Sequence, residues 1–160
     1  MDLFEAKTLA LQLMSEHRIL PGYCFKFDNR LSRAGACNKY SRTIILSEEY
    51  IKINDKDAVM DIILHEIAHA LVTDNGHGKE WKTKAISIGC SGNRLFYGTS
   101  PARTKKYWCP TCGKISAYRR EQNNMYCSSC VTKNKTIRNK KEYEYKKEYK
   151  LIKIGETKND

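Results

Sequence analysis

The chain has 160 residues, of which 41% are hydrophobic and 29% charged, enough for one medium-sized domain and a second small one. No apolar run is long enough to span a bilayer, and the acidic first residues do not resemble a secretory leader, so we expect no membrane partner. We expect an intracellular monomer, cytoplasmic or nucleoid-associated, or nuclear in a eukaryote.

The formal net charge of +11 is concentrated toward the C-terminal end. Residues 1–100 carry 13 lysines and arginines against 12 acids, whereas residues 101–160 carry 16 against 6. A strongly basic segment favours a polyanionic partner, most often nucleic acid, over a merely solvated tail. The sequence therefore predicts a nearly neutral front part and a nucleic-acid contact in the back part.

Three elements are predicted before residue 50. Hydrophobic residues at helical spacing, preceded by the capping residue Asp2, predict a helix over residues 3–17. Alternating aromatic residues predict a strand over 23–28, and residues 34–38 and 42–46 form a predicted hairpin. Such a sheet can flank the next helix and offer an edge strand to an extended peptide, but the sequence does not identify that edge.

The central helix is predicted to start at Asn54 or Asp55, and its apolar stripe covers much of its circumference. A helix of this kind is buried, yet it carries His65, Glu66 and His69, which are costly there without a metal or polar partners. The two histidines are four residues apart, so they lie on one helical face, about 5–6 Å apart at Cβ. This spacing lets both reach a single Zn²⁺ and predicts a catalytic metal site.

Glu66 follows the first histidine and points to a neighbouring part of the helix surface. From there its carboxylate can take a proton from a zinc-bound water, whose pKa falls toward about 7, without binding the metal itself. A catalytic zinc also needs a third protein ligand. His77, between two glycines after a helix stop, is the favoured ligand, with Asp74 and Glu80 as competitors.

A further helix is predicted over residues 79–88, with Trp81 as the core anchor that fixes the histidine-bearing turn. Residues 90–106 are polar and contain Gly, Ser and Pro, which favours a linker or a segment that wraps back on the core. Tyr40 or Tyr97 could polarise a substrate carbonyl, but the sequence selects neither, so no oxyanion stabiliser is assigned.

The stretch HEIAHALVTDNGHGKEWKTKA resembles the active-site segment of the SprT-like metalloprotease family, which includes the Spartan proteases. The family pattern is H-E-x-x-H, a short linker, a histidine in a G-H-G or similar turn, and an aromatic residue on the next helix. Residues 34–37 and 42–47 also resemble the hairpin of the family, so the resemblance covers roughly residues 1–100. It implies a zinc metalloendopeptidase, stimulated by DNA, that acts on proteins bound or crosslinked to DNA. The matching positions are His65, Glu66, His69, His77 and Trp81.

Four cysteines follow the spacing C-x2-C-x14-C-x2-C, which is close to that of a zinc ribbon. Two C-x-x-C turns complete a tetrahedral site with no open position, so this second zinc is predicted to be structural. Cys24, Cys37 and Cys90 are left over and are expected to be small buried hydrophobic residues. The predicted ligands of the structural zinc are Cys109, Cys112, Cys127 and Cys130.

The ribbon mixes aromatic rings with cations, a combination that suits stacking on bases and pairing with phosphates. Trp108 and Tyr126 are expected to form its small core, and residues 115–120 and 125–126 are predicted strands. The tail after the ribbon is predicted to be a helix, a strand or disordered until bound, and an auxiliary nucleic-acid contact. The predicted contacts to single-stranded or junction-containing DNA are Lys105, Lys106, Tyr118, Arg119 and Arg120.

Together these features predict an α+β chain in three parts. A zincin-like protease domain with an active-site helix and a small antiparallel sheet covers residues 1–100, a zinc ribbon covers 101–135, and a basic tail covers 136–160. Two other classes remain open: a nucleic-acid-binding zinc protein without protease activity, and a zinc-dependent ribonuclease. Glu66 argues against both, because a non-catalytic site needs no carboxylate there, and three-histidine ribonucleases carry a small residue at that position.

Overall fold

The computed structural model describes residues 1–74, 76–133 and 147–154. The chain divides into two compact units, Met1–Pro101 and Ala102–Asp160. The first unit contains α1 (Leu3–Glu16), β1 (Cys24–Asp28), β2 (Gly35–Asn38), β3 (Thr43–Ser47), α2 (Glu48–Lys52), α3 (Lys56–Leu71) and α4 (Lys79–Ser87). The second contains β4 (Lys105–Trp108), β5 (Ile115–Tyr118), α5 (Ser128–Lys133), a 3-10 turn (Lys147–Tyr149) and β6 (Ile152–Lys153).

The sheet of the first unit has the strand order β1-β3-β2. Its central strand, β3, is buried at all five positions. The predicted hairpin is present, since β2 pairs antiparallel with β3. However, β1 joins β3 in parallel, so the sheet is mixed rather than wholly antiparallel, while the predicted α+β class is confirmed. Within the described residues β2 is an edge strand, with one side left unpaired.

The helix α3 runs through the centre of this unit. Asp55 caps it, accepting a hydrogen bond from the Ala58 N–H at 2.9 Å. Its apolar stripe packs between α1 and the sheet, and the small residues Ala6 and Ala10 of α1 are fully buried. Within the described residues, no helix combines the length and the apolar character that a membrane crossing requires.

The second unit is built on a small sheet of order β5-β4-β6, in which both neighbours pair antiparallel with β4. Its core contains Tyr107 and Tyr149 together with three of the four cysteines of the C-x-x-C motifs. The prediction that Trp108 lies in this core is wrong, because neighbouring strand residues point to opposite faces and Tyr107 takes the inner one. Residues 147–154 of the predicted tail belong to this unit; residues 136–146 and 155–160 lie outside the described residues.

Candidate active site and metal centres

Three histidines converge in the first unit. His65 and His69 project from α3, and His77 comes from the loop before α4, which Gly78 caps. The Nε2 atom of His77 lies 3.0 Å from that of His65 and 3.1 Å from that of His69. Ligands on a tetrahedral zinc, with Zn–N bonds of about 2.0–2.1 Å, are separated by roughly 3.3 Å, so the three nitrogens fit one zinc ion.

The protonation state of this cluster also suits metal binding. Burial lowers the pKa of His65 and of His69 to about 4, and His77 adds to both shifts. His65 and the charge of Lys39 lower the pKa of His69 further. The pKa of His77 is lowered as well, by burial and by the charge of Arg94. All three imidazoles are therefore neutral at neutral pH, with lone pairs free to bind a metal. The ring of His65 is also hydrogen-bonded to the Asn93 backbone carbonyl, the kind of contact that orients a metal ligand.

The two competing candidates for the third ligand lie elsewhere. The Asp74 carboxylate accepts a hydrogen bond from the Gly76 N–H at 3.0 Å and so shapes the loop itself. Glu80 is exposed in the first turn of α4. Among the described residues of this unit, the group able to hold a metal consists of the three histidines without either acid.

Trp81 on α4 forms the floor of the histidine cluster. It is 1% exposed, and its ring centroid lies 4.6 Å from that of His65 and 4.5 Å from that of His77. It also stacks on His69 at 5.3 Å. A rigid aromatic surface in contact with all three imidazoles restricts their rotamers, which preorganises them for one metal ion.

Glu66 is buried beside the cluster, at 7% exposure. Burial raises the pKa of its carboxyl to about 8, against the opposing effects of the Arg33 charge and of a hydrogen bond with the Cys37 backbone. Once ionised, a carboxylate with this pKa is basic enough to take a proton from water and to return it to a leaving group. Arg33 is in turn paired with Asp28 at 3.2 Å.

Gly35 on β2 makes room for this carboxylate. A Cβ at position 35 would lie 2.9 Å from Glu66 Oε1, closer than real Cβ atoms approach their neighbours, and at a tight 3.0 Å from Ile62 Cγ2. The close packing of the strand on Glu66 therefore depends on the missing side chain.

Gly35→Ala should accordingly lower kcat by roughly 10- to 100-fold, because a displacement of about 1 Å at a catalytic group has effects of this size. Zinc content should stay at the wild-type value, since the histidines are untouched. Steady-state peptide hydrolysis and metal analysis measure the two quantities. Gly22→Ala is the matched control, because its Cβ would lie 3.4 Å from its nearest neighbour. An unchanged kcat in Gly35→Ala would contradict the positioning of Glu66 by this strand.

A cleft of about 670 Å³ opens at the histidines and Glu66. Residues 32–39 supply part of one wall, and residues 93–96 with Ser100 supply part of the other. Residues 90–106, predicted as a linker or a segment that wraps back on the core, thus wrap back over residues 93–100. Tyr40 is fully exposed and Tyr97 is 58% exposed, and neither lines the cleft, so neither of the two is assigned to the substrate carbonyl.

Two polar anchors hold the second wall, and sequence reasoning missed both. Asp61, one turn before His65, accepts hydrogen bonds from Ser91 N–H at 2.6 Å and Ser91 Oγ at 2.9 Å. The buried Asn54 accepts from the Thr99 N–H at 2.7 Å, and its amide donates to the Thr99 carbonyl at 2.8 Å. The only signal in the sequence is that Asn54 stands at the start of the central helix, a position that predicts a helix cap.

The second unit brings together the four cysteines of its two C-x-x-C motifs. The Sγ atoms of Cys109 and Cys130 are 3.8 Å apart, and those of Cys112 and Cys127 are 3.6 Å apart. Thiolates on a tetrahedral zinc, with Zn–S bonds of about 2.3 Å, are separated by roughly 3.8 Å. A hydrogen bond from the Gly113 N–H to the Cys109 carbonyl, at 2.9 Å, closes the turn of the first C-x-x-C motif. Gly113 has a φ of 72°, which favours glycine. These distances fit a closed structural zinc site.

Of the three leftover cysteines, Cys90 is buried and Cys37 half-buried, while Cys24 is exposed, contrary to the prediction. Cys24 and Cys37 lie on strands of the mixed sheet, and Cys37 lines the cleft. Burial, together with the charge of Glu66, raises the pKa of Cys37 to about 11, so its thiol is protonated at neutral pH.

The predicted nucleic-acid contacts lie along β4 and β5 and the residues that follow. Lys105 stands directly opposite Tyr118, but the Tyr118 ring packs edge-to-face against the buried Tyr107 at 5.6 Å. On the other face, Trp108 is 40% exposed and shares the strand with exposed Lys106. Among the aromatic residues that the structure describes in the second unit, Trp108 is therefore the most available for base stacking, although the sequence predicts it in the core. Arg119 and Arg120 follow β5, half-buried and exposed respectively.

Comparisons with known proteins place these observations in context. The model of the SprT-like family matches residues 5–105. Among solved structures, the chain is similar to the metallopeptidase zymogen jannalysin of Methanocaldococcus jannaschii, with 15% identity, 54% of this chain and 83% of that chain covered, and a TM-score of 0.48. The chain is also similar to the metallopeptidase zymogen abylysin of Pyrococcus abyssi, with 12% identity, 50% of this chain and 75% of that chain covered, and a TM-score of 0.44. No curated protein matches.

Proposed function

The chain belongs to the SprT-like family of zinc metalloproteases, and we propose that it cleaves proteins bound or crosslinked to DNA and that DNA stimulates the cleavage. The observation that carries the protease assignment is the buried carboxylate of Glu66 beside three convergent, neutral histidines in an open cleft. The DNA part rests on the charge and the exposed aromatic surface of the second unit, together with the family resemblance.

The proposed chemistry is peptide-bond hydrolysis in the cleft. His65, His69 and His77 would hold the catalytic zinc, which when bound activates water and polarises the scissile carbonyl. Glu66 accepts the proton of the attacking water and returns it to the nitrogen of the leaving amine. A hydrogen bond from the Cys37 backbone orients the carboxylate, and the charge of Arg33 favours its ionised form.

The edge strand β2 is the proposed binding site for the substrate backbone. It pairs with β3 on one side only, and Gly35 and Cys37 line the cleft beside Glu66. An extended peptide can add to such an edge through main-chain hydrogen bonds, which provide affinity with little dependence on side chains. This arrangement suits an enzyme whose substrates share location on DNA rather than a sequence.

The proposed DNA contact is the face of the second unit that carries Lys106 and Trp108. This face carries an exposed tryptophan and an exposed lysine beside the exposed Ile115 and Ile152, and the segment 101–160 has 16 basic and 6 acidic residues. Base stacking on an exposed ring contributes about 1–3 kcal/mol per base and tolerates any sequence, and phosphate contacts add a salt-dependent term. The second proposed zinc, on the four cysteines, would give this face a fixed shape.

The test is degradation of a histone by the full chain with and without single-stranded DNA. We expect DNA to accelerate cleavage, and Trp108→Ala to weaken DNA affinity roughly 5- to 100-fold with a matching loss of stimulation. Basal cleavage of a free peptide should be unchanged in Trp108→Ala, and Tyr40→Ala, an exposed tyrosine of the first unit, is the control. DNA affinity that does not respond to salt or to Trp108→Ala would remove this face from the role. A zinc-loaded, DNA-binding wild type that cleaves no protein would favour the binding-module class instead.

A further inference from the structure

Lys39 lies between β2 and β3, and its ammonium group reaches the loop that follows α3. Its Nζ atom lies 2.7 Å from the Val72 carbonyl oxygen, 3.1 Å from that of Thr73 and 2.7 Å from that of Asp74. An ammonium group has three N–H donors, so three carbonyls satisfy it completely. The side chain is half-buried and lines the cleft. The contact spans 33 to 35 residues of sequence.

The loop that Lys39 contacts carries the third histidine. The last carbonyls of a helix have no partner within the helix, and a left-handed residue commonly closes such an end. Here Val72 leaves α3 in an extended conformation, with φ of −114° and ψ of 158°. Two residues separate Asp74 from His77, so the position of these carbonyls limits where the histidine can lie.

We infer that Lys39 is a positioning residue for the metal centre: its ammonium group holds the Val72–Asp74 carbonyls and thereby keeps His77 within reach of the metal. The inference rests on the zinc site of the proposed function. Without the clamp, the loop samples a broader set of conformations, and ordering it on metal binding costs conformational entropy. The metal then binds more weakly and dissociates faster.

The charge of Lys39 acts in the opposite direction. A cation near the imidazoles repels a second cation, so the charge alone disfavours metal binding. If charge were the main effect of Lys39, its removal would tighten metal binding. If the clamp is the main effect, removal of the lysine weakens metal binding. The two explanations therefore predict changes of metal affinity in opposite directions when the lysine is removed.

The experiment is a cobalt(II) titration of the metal-free full chain, using wild type, Lys39→Met, Lys39→Arg and the control Lys26→Met. Lys26 is an exposed lysine on β1 of the same sheet. Thiolate-to-cobalt charge-transfer absorption reports the cysteine site separately from the histidine site. We expect Lys39→Met to weaken binding at the histidine site at least about tenfold, as the loss of supporting contacts around metal ligands does. Lys39→Arg should retain part of the affinity, and Lys26→Met all of it.

Amide hydrogen exchange of the metal-free protein gives a second readout. Exchange over residues 72–78 should be faster in Lys39→Met and unchanged in Lys26→Met. If Lys39→Met does not fold, Lys39→Gln replaces it in both measurements. Glutamine keeps two N–H donors without a charge, so the expected loss of metal affinity is smaller. Unchanged or tighter metal binding in the uncharged variants overturns the inference while leaving the proposed function intact. A wild type that binds no cobalt at the histidines overturns the proposed function and the inference together.

Discussion

Replacing Glu66 with glutamine should reduce peptide hydrolysis by at least about 100-fold while zinc stays bound at the wild-type level. Glutamine has nearly the same size and can still accept a hydrogen bond from the Cys37 backbone, but it cannot accept a proton from water. Because Glu66 is not one of the converging histidines, its loss leaves the metal site chemically complete. The measurement is kcat for a quenched peptide substrate, with zinc content determined on the same preparation.

The control for this variant is Glu80→Gln, which removes an exposed carboxylate on α4. It should keep wild-type activity and zinc content. Full activity in Glu66→Gln would show that another group takes the proton and would remove the base from the mechanism. Loss of zinc in Glu66→Gln would instead mean that the carboxylate supports the metal site itself.

Cys112→Ser should unfold the second unit and release its zinc. Cys112 is the exposed member of the four cysteines, so its substitution removes little packing and isolates the contribution of the metal. Structural zinc binding contributes about 10–16 kcal/mol in small zinc-finger peptides, and a unit of this size has little other core. Three of the seven buried residues described in this core are themselves cysteines of the cluster.

Three readouts test this result. Zinc content should fall by one ion, single-stranded DNA affinity should drop, and the amide spectrum of residues 1–101 should stay dispersed. Cys24→Ser, at an exposed cysteine of the first unit, should change none of them. A Cys112→Ser protein that keeps a folded second unit and its DNA affinity would mean that the unit is stable without a closed metal site.

The residues of the two metal clusters were predictable because their spacing is local. His65 and His69 are one helical turn apart, so any helix places them on one face. Each C-x-x-C knuckle likewise depends on a tight turn within a few residues. The class of fold followed from the alternation of short strands with helices whose apolar periodicity differs. Even the choice of His77 over Asp74 and Glu80 rested on a helix stop and two glycines, although only the folded loop shows the carboxylate of Asp74 bonded to the Gly76 N–H.

The sequence by itself therefore determined which groups can bind metal and which carboxylate can move a proton. Trp81 is the one supporting residue that the sequence identified, and only the tertiary structure decided what else holds those groups in place. Three such contacts join residues that are distant in sequence, where no periodic pattern links them. They are the hydrogen bonds of Lys39 to the 72–74 carbonyls, the packing of Gly35 on Glu66 and the parallel pairing of β1 with β3. The exposure of Trp108 rather than Tyr107 had the same origin, because alternation along a strand defines two faces, and only packing against the rest of the unit selects the inner one.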